Sequence, residues 1–259
     1  MVIPVYDENP VRRRPLVTYA LIGLCVAVFL IGPASGLNPV YGTGHELACA
    51  QASYFARWGV IPAELWHGRV APASVVMPTG CPPPADIGRS PFVSVLTALF
   101  VHGSWVHLLG NMLFFYVFGD NVENRMGRLR YLVFYVVCGY LATYGWALAH
   151  TTSTQALVGA SGAISGVLGA YLYLYPRARV TSLFPFLFFL PLRFPAWMVL
   201  VFWFVLQSLA GQAQQSGPGV AYLAHITGFL FGFLCAWGCY RARPKLEPAT
   251  RATEGDLQP

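Results

Sequence analysis

Charge is scarce in this sequence. Aspartate, glutamate, lysine and arginine make up 10% of the 259 residues, against about 25% in an ordinary soluble domain, while 56% are hydrophobic. That combination excludes a water-soluble globular protein. Other absences narrow the field further. No HExxH pair occurs, and His102 and His107 stand five apart, which argues against a catalytic zinc site; no metal is expected. No tandem repeat is evident. The net charge of +6 does not point to nucleic acid, because the basic residues flank apolar runs instead of forming dense patches.

What is present is apolar sequence in span-sized blocks. At roughly 20 residues per crossing, six spans need about 120 residues, which the chain can supply with room for one large loop. Arg12, Arg13 and Arg14 precede a run from Leu16 to Ile31, closed by Gly32-Pro33 and read as a retained first span. A mixed, proline-rich loop follows from Ala34 to about Gly103. Span two starts near Ser104, a suitable N-cap, and runs to Gly119. Spans three to six are expected at about Tyr131–Leu148, Ala156–Tyr175, Ala196–Ala210 and Gly219–Tyr240. The aromatic segment Phe184 to Phe194, broken by Pro185 and Pro191, has no geometry that the sequence decides.

The predicted architecture is therefore all-α: a 15–241 membrane domain of six spans with an outer loop at 34–103, an N-terminal tail at 1–14 and a polar tail at 242–259. With both termini on one side, thirteen lysines and arginines lie there against three opposite. The positive-inside rule makes the richer side cytoplasmic. The setting expected is a bacterial plasma membrane.

Polar groups at bilayer depth are costly, so those retained are informative. Ser161 and His225 each lie 16 residues from the arginine closing their span, Arg177 and Arg241, or roughly 24 Å. Asn111 lies 14 residues from Arg125, roughly 21 Å, with His107 one turn beyond on the same face. Three spans thus bring polar groups to one level below the outer surface. Gly162 and Gly166 on one helix and Gly228 and Gly232 on another form small-xxx-small faces that permit close approach. A serine hydroxyl becomes a nucleophile when a neutral imidazole accepts its proton, so Ser161 and His225 fit a dyad. Side chains of Asn111 and His107, with the Ser161 backbone N–H, are candidate oxyanion donors. No carboxylate lies at that depth, so a third member is missing.

These residues resemble the rhomboid family of intramembrane serine proteases. Gly159-Ala160-Ser161-Gly162 matches the family's G-x-S-G; AHITGFLFG is similar to its histidine segment around His225; His102, His107 and Asn111 within HGSWVHLLGNM match its H-x-x-x-x-H-x-x-x-N. Glu123, Arg125 and Gly127 in DNVENRMG match its E-x-R-x-G turn. The resemblance implies a six-helix bundle with a short central fourth helix, a serine at the floor of a hydrated cavity, and cleavage of transmembrane substrates in the lipid bilayer without a cofactor. It also marks departures. Ser165 stands where some relatives carry a tyrosine that packs on the histidine, so another group must orient His225. Val93-Ser94 replaces a tryptophan-arginine pair of the outer loop. Ile226-Thr227-Gly228 follows the histidine where two glycines are common. An inactive rhomboid-like protein that binds membrane clients is the alternative.

Cys49 and Cys81 share the outer loop, where an oxidising compartment permits a disulfide or leaves two free thiols. Glu123, with Arg125 and Arg128, is expected to stabilise the inner turn.

Overall fold

Local signals set where most of the helices begin and end. The computed structural model describes residues 3–241 apart from 10, 12, 86–89, 185–189 and 214–220. A short strand, β1 (Ile3–Asp7), leads to helix α1 (Leu16–Ile31), which stops at Gly32-Pro33 because proline cannot continue the hydrogen-bond ladder. The long loop is ordered by three short helices, α2 (Gly44–Trp58), α3 (Pro62–His67) and α4 (Pro91–Ala98). Ala56, Ile61, Ala63 and Val75 form a small core between α2, α3 and the loop that follows, while Val95 and Ala98 of α4 pack with Val60 in a second one. Cys49 of α2 is bonded to Cys81, with Cα atoms 5.3 Å apart.

Helix α5 (Trp105–Met126) starts at Ser104, whose Oγ accepts from the His107 N–H at 3.2 Å. It runs past Gly119 and stops at Gly127, whose φ of +82° suits glycine alone. Helix α6 (Arg128–Ala149) begins at the next residue. The remaining elements are α7 (Ser161–Leu174), β2 (Arg179–Phe184), β3 (Leu190–Pro195), α8 (Ala196–Ala213) and α9 (Tyr222–Tyr240).

Two expectations need correction. The fold is mostly helical but not all-α: β1, β2 and β3 form an antiparallel sheet in that order, with Ile3 opposite Leu183 and Val180 opposite Phe194. Pro191 and Pro195 sit in the edge strand β3, where a missing N–H is tolerated. Residues 185–189, between β2 and β3, lie outside the described residues, as does the polar tail 242–259. The second correction concerns the fourth apolar run. Its helix starts at Ser161 and not at Ala156, because Leu157 is held extended by paired hydrogen bonds to Val60 of 2.7 and 2.8 Å. Gly159, at φ +128°, then turns the chain into the helix.

Helix α7 is the axis of the bundle: every residue from Gly162 to Tyr171 is buried. Backbone contact makes this possible. A Cβ on Gly228 would overlap the Gly162 carbonyl, one on Gly232 the Gly166 carbonyl, and one on Gly169 the Phe229 carbonyl. Glycine is the only residue that lets α7 and α9 touch in this way. On its other side α7 meets Ala142 and Cys138 of α6. Outward faces are apolar instead, with Leu24 and Leu30 of α1, Val133 and Val137 of α6, Val201 and Phe202 of α8, and Leu230 and Leu234 of α9 exposed. So continuous an apolar exterior needs a non-aqueous partner. Helices α6 and α9 are long and apolar enough to cross a membrane; α1, α7 and Ala196–Leu209 are apolar but shorter.

Buried polar contacts tie the opposite end together. The Asp7 carboxylate accepts from the Tyr171 hydroxyl and from Asn121 Nδ2, the latter at 2.9 Å, which pins β1 against α7 and α5. Asn9 Nδ2 also donates to the Tyr171 oxygen at 2.9 Å. Glu123 does more than stabilise its own turn. Its carboxylate accepts from the N–H groups of Val17 and Thr18 at 3.0 and 2.8 Å, capping a helix whose own N-cap is Pro15. Arg125 lies over the Tyr240 ring at 5.5 Å.

Candidate active site

The glycine contacts between α7 and α9 bring the first residue of one helix beside the fourth residue of the other. Ser161 Oγ lies 2.7 Å from His225 Nε2. On the far side of the ring, Nδ1 lies 2.7 Å from Oε1 of Gln207, on α8. A carboxamide oxygen only accepts, so Nδ1 carries the ring proton and Nε2 offers its lone pair to the serine hydroxyl. That is the tautomer a general base requires. Ser165 does not reach the imidazole; its hydroxyl donates to the Ser161 carbonyl at 2.7 Å.

The pair faces a cavity of about 490 Å³, also lined by His107, Asn111, Thr143 and the extended strip Ala156–Gly159. Its rim includes Val106, which is 84% exposed, so the cavity reaches the surface of the chain. Three kinds of donor converge on it. Asn111 Nδ2 is buried with no hydrogen-bond partner among the described residues. His107 Nδ1 accepts from the Gly103 N–H at 3.4 Å, which leaves Nε2 as the protonated nitrogen, packed against Gly159. A Cβ at position 159 would come within 2.8 Å of that ring, so glycine is required there twice over, for contact and for backbone angle. The N–H groups of the first turn of α7, starting with Ser161, have no partner within their helix. Their dipoles also favour negative charge at this end.

A scan against family models matches the rhomboid domain over residues 89–242. The chain belongs to the rhomboid family. Among curated relatives, it is 31% identical over 157 residues to the mitochondrial rhomboid protein 1 of Saccharomyces cerevisiae, covering 59% of this chain and 43% of that one. It is 29% identical over 138 residues to the rhomboid protease GlpG of Haemophilus influenzae, covering 53% and 64%. The mitochondrial RHOMBOID-like protein 6 of Arabidopsis thaliana is 28% identical over 145 residues, covering 54% and 41%. The matched region thus spans less than two thirds of each of these relatives. Family membership makes this rhomboid an integral membrane protein.

His102, part of the same motif as His107 and Asn111, lies outside the cavity lining. It is buried, its ring 5.2 Å from that of His107, and neither ring nitrogen has a partner among the described residues. Away from the site, His45 joins Cys49 and Cys81 in a cluster with metal-ligand geometry, but the two sulfurs are bonded to each other.

One residue escapes the sequence reading altogether. Gln207 is uncharged, and a search for an acid to complete a triad passes over it. The sequence carries one signal for it: Gln207 lies 14 residues beyond Arg193, the same count that separates Asn111 from Arg125.

Proposed function

We propose that this rhomboid is an intramembrane serine endopeptidase that cleaves transmembrane proteins in or near their membrane span. The observation that carries the reading is the 2.7 Å contact between Ser161 Oγ and His225 Nε2. Ser161 attacks the substrate carbonyl as His225 takes its proton. The oxyanion that forms is stabilised by Asn111 Nδ2, the His107 Nε2–H and the Ser161 N–H. His225 then donates the proton to the leaving amine, and a water, activated by the same imidazole, releases the acyl fragment from Ser161. No cofactor takes part.

In this reading α1 and α5 to α9 form the six spans of a 15–241 membrane domain, and both termini are cytoplasmic in a bacterial plasma membrane. The bias of thirteen basic residues against three supports that orientation. The cavity then opens outward, on the side of the 34–103 loop and its disulfide. Substrates need a weak helix near the cut, since an intact helix hides its carbonyls. A preference for small residues beside the bond is what the rhomboid resemblance implies.

A fluorophosphonate probe tests the nucleophile without a substrate. It is expected to label Ser161 in the parent and to lose that labelling in His225→Ala. Equal labelling of both proteins would overturn the pairing.

A further inference from the structure

The His225 ring has two nitrogens, and the proposed chemistry uses only one. We infer that Gln207 is a positioning residue that holds His225 in its Nδ1-protonated tautomer, so that the site works as a Ser161-His225-Gln207 relay of hydrogen bonds. This rests on the reading of Ser161 and His225 as the reacting pair.

Three observations support it. Gln207 Oε1 lies 2.7 Å from His225 Nδ1, a distance typical of a well-formed hydrogen bond. The register that delivers Gln207 is built by packing: one turn earlier on α8, Trp203 and Phe204 pack against Phe229 in tilted ring contacts with centroids 6.0 and 4.9 Å apart. Phe229 is itself one turn after His225 on α9. The antiparallel pairs Trp203/Phe229 and Gln207/His225 are therefore successive rungs between two helices. Trp203 also meets Phe114 of α5, which fixes the α8 face toward the bundle.

The other neighbours cannot do this work. Ser165 spends its hydroxyl on the Ser161 carbonyl. The rings of Trp203 and Tyr222 stand 6.2 Å from the imidazole and confine it, while its hydrogen bonds among the described residues go to Gln207 and Ser161.

A neutral amide differs from a carboxylate in one respect that matters here. It fixes the tautomer and orientation of the imidazole but supplies no counter-charge to the imidazolium that forms during attack. In a site built from apolar helices this avoids placing a carboxylate at bilayer depth, where a charge is costly. The amide also makes the base dependent on α8. Any displacement of α8 from α9 that parts Gln207 from His225 frees the imidazole to flip to the other tautomer.

The test compares the full-length parent with Gln207→Leu and Gln207→Glu in detergent, using a tagged single-span substrate and ¹⁵N-histidine spectra. Loss of the acceptor in Gln207→Leu is expected to lower kcat by about 10- to 100-fold with KM within about twofold, because a base left in mixed tautomers forfeits part of the roughly 100- to 10,000-fold that general acid–base catalysis contributes. Gln207→Glu, which keeps an acceptor, should recover most of kcat. The spectrum, read without substrate, should show His225 protonated at Nδ1 in the parent and a mixture of tautomers in Gln207→Leu. Parental kcat in Gln207→Leu, or a His225 spectrum that the substitution leaves unchanged, would overturn the assignment. Ser161→Ala run alongside separates the two levels: cleavage surviving there contradicts the reacting pair, while the nitrogen spectrum still judges Gln207.

Discussion

Glu123 Oε2 accepts from both the N–H and the Oγ–H of Thr18, each at 2.8 Å, so a residue near the end of α5 caps the start of α1. Thr18 is fully buried and Glu123 is 3% exposed, so neither oxygen can be rescued by solvent when its partner is lost. Glu123→Ala is expected to destabilise the protein by about 1–3 kcal/mol, the usual cost of leaving buried donors unpaired. Glu123→Gln, which keeps one acceptor oxygen, should cost less. Thermal unfolding in one detergent checks both. Equal melting of parent and Glu123→Ala would mean that α1 does not depend on this cap.

The cap also shows where sequence and structure part. The ends of α1 are legible to the residue, since Pro15 and Gly32-Pro33 punctuate an unbroken apolar run. The E-x-R-x-G match flags Glu123 but not its partner, which lies more than a hundred positions earlier. The start of α7 is illegible for a similar reason. Ala156 to Ala160 is as apolar as any span, and only the pairing of Leu157 with Val60 keeps it extended. The β2–β3 hairpin has neither a helical nor an alternating period to announce it. By contrast, counting from Arg177 and Arg241 puts Ser161 and His225 at one level, and their side chains meet.

Burial pushes the Asp7 carboxyl up from 3.8 to about 6, although hydrogen bonds from Tyr171, Asn9 and Asn121 oppose the shift. The folded value lies above the unfolded one, so the docked strand binds the proton more tightly than the free strand. Its contribution to stability is fully present below about pH 4 and is lost as pH rises through about 6. Amides of Ile3–Asp7 should therefore be better protected at pH 5 than at pH 8, once intrinsic exchange rates are corrected. Asp7→Asn should shrink that difference. A pH dependence that persists undiminished in the variant would place its origin elsewhere.

Gly232 is expected to be the least replaceable glycine of α9. A methyl there collides with the Gly166 carbonyl, whereas one at Gly238 meets nothing within 4 Å. Gly232→Ala must part α7 from α9, at about 1–3 kcal/mol of stability. Because the same contact aligns Ser161 with His225, turnover should fall by about 100-fold, the scale set by ångström misplacement of reacting groups. Gly238→Ala should leave turnover at the parental level. Similar behaviour of the two variants would mean that the helix contact does not align the pair.

Asn111 is distinguished by a buried amide nitrogen at the cavity with no partner among the described residues. If it meets the oxyanion, Asn111→Ala should lower kcat by up to about 100-fold and change KM little, since the interaction is made only in the transition state. A variant that loses affinity at unchanged kcat would assign Asn111 to substrate binding.

The most direct test is cleavage itself. Purified protein is incubated in detergent with a tagged single-span substrate, beside Ser161→Ala and His225→Ala. The account predicts a defined product from the parent and none from either variant. Product that forms at the parental rate in either one would contradict it.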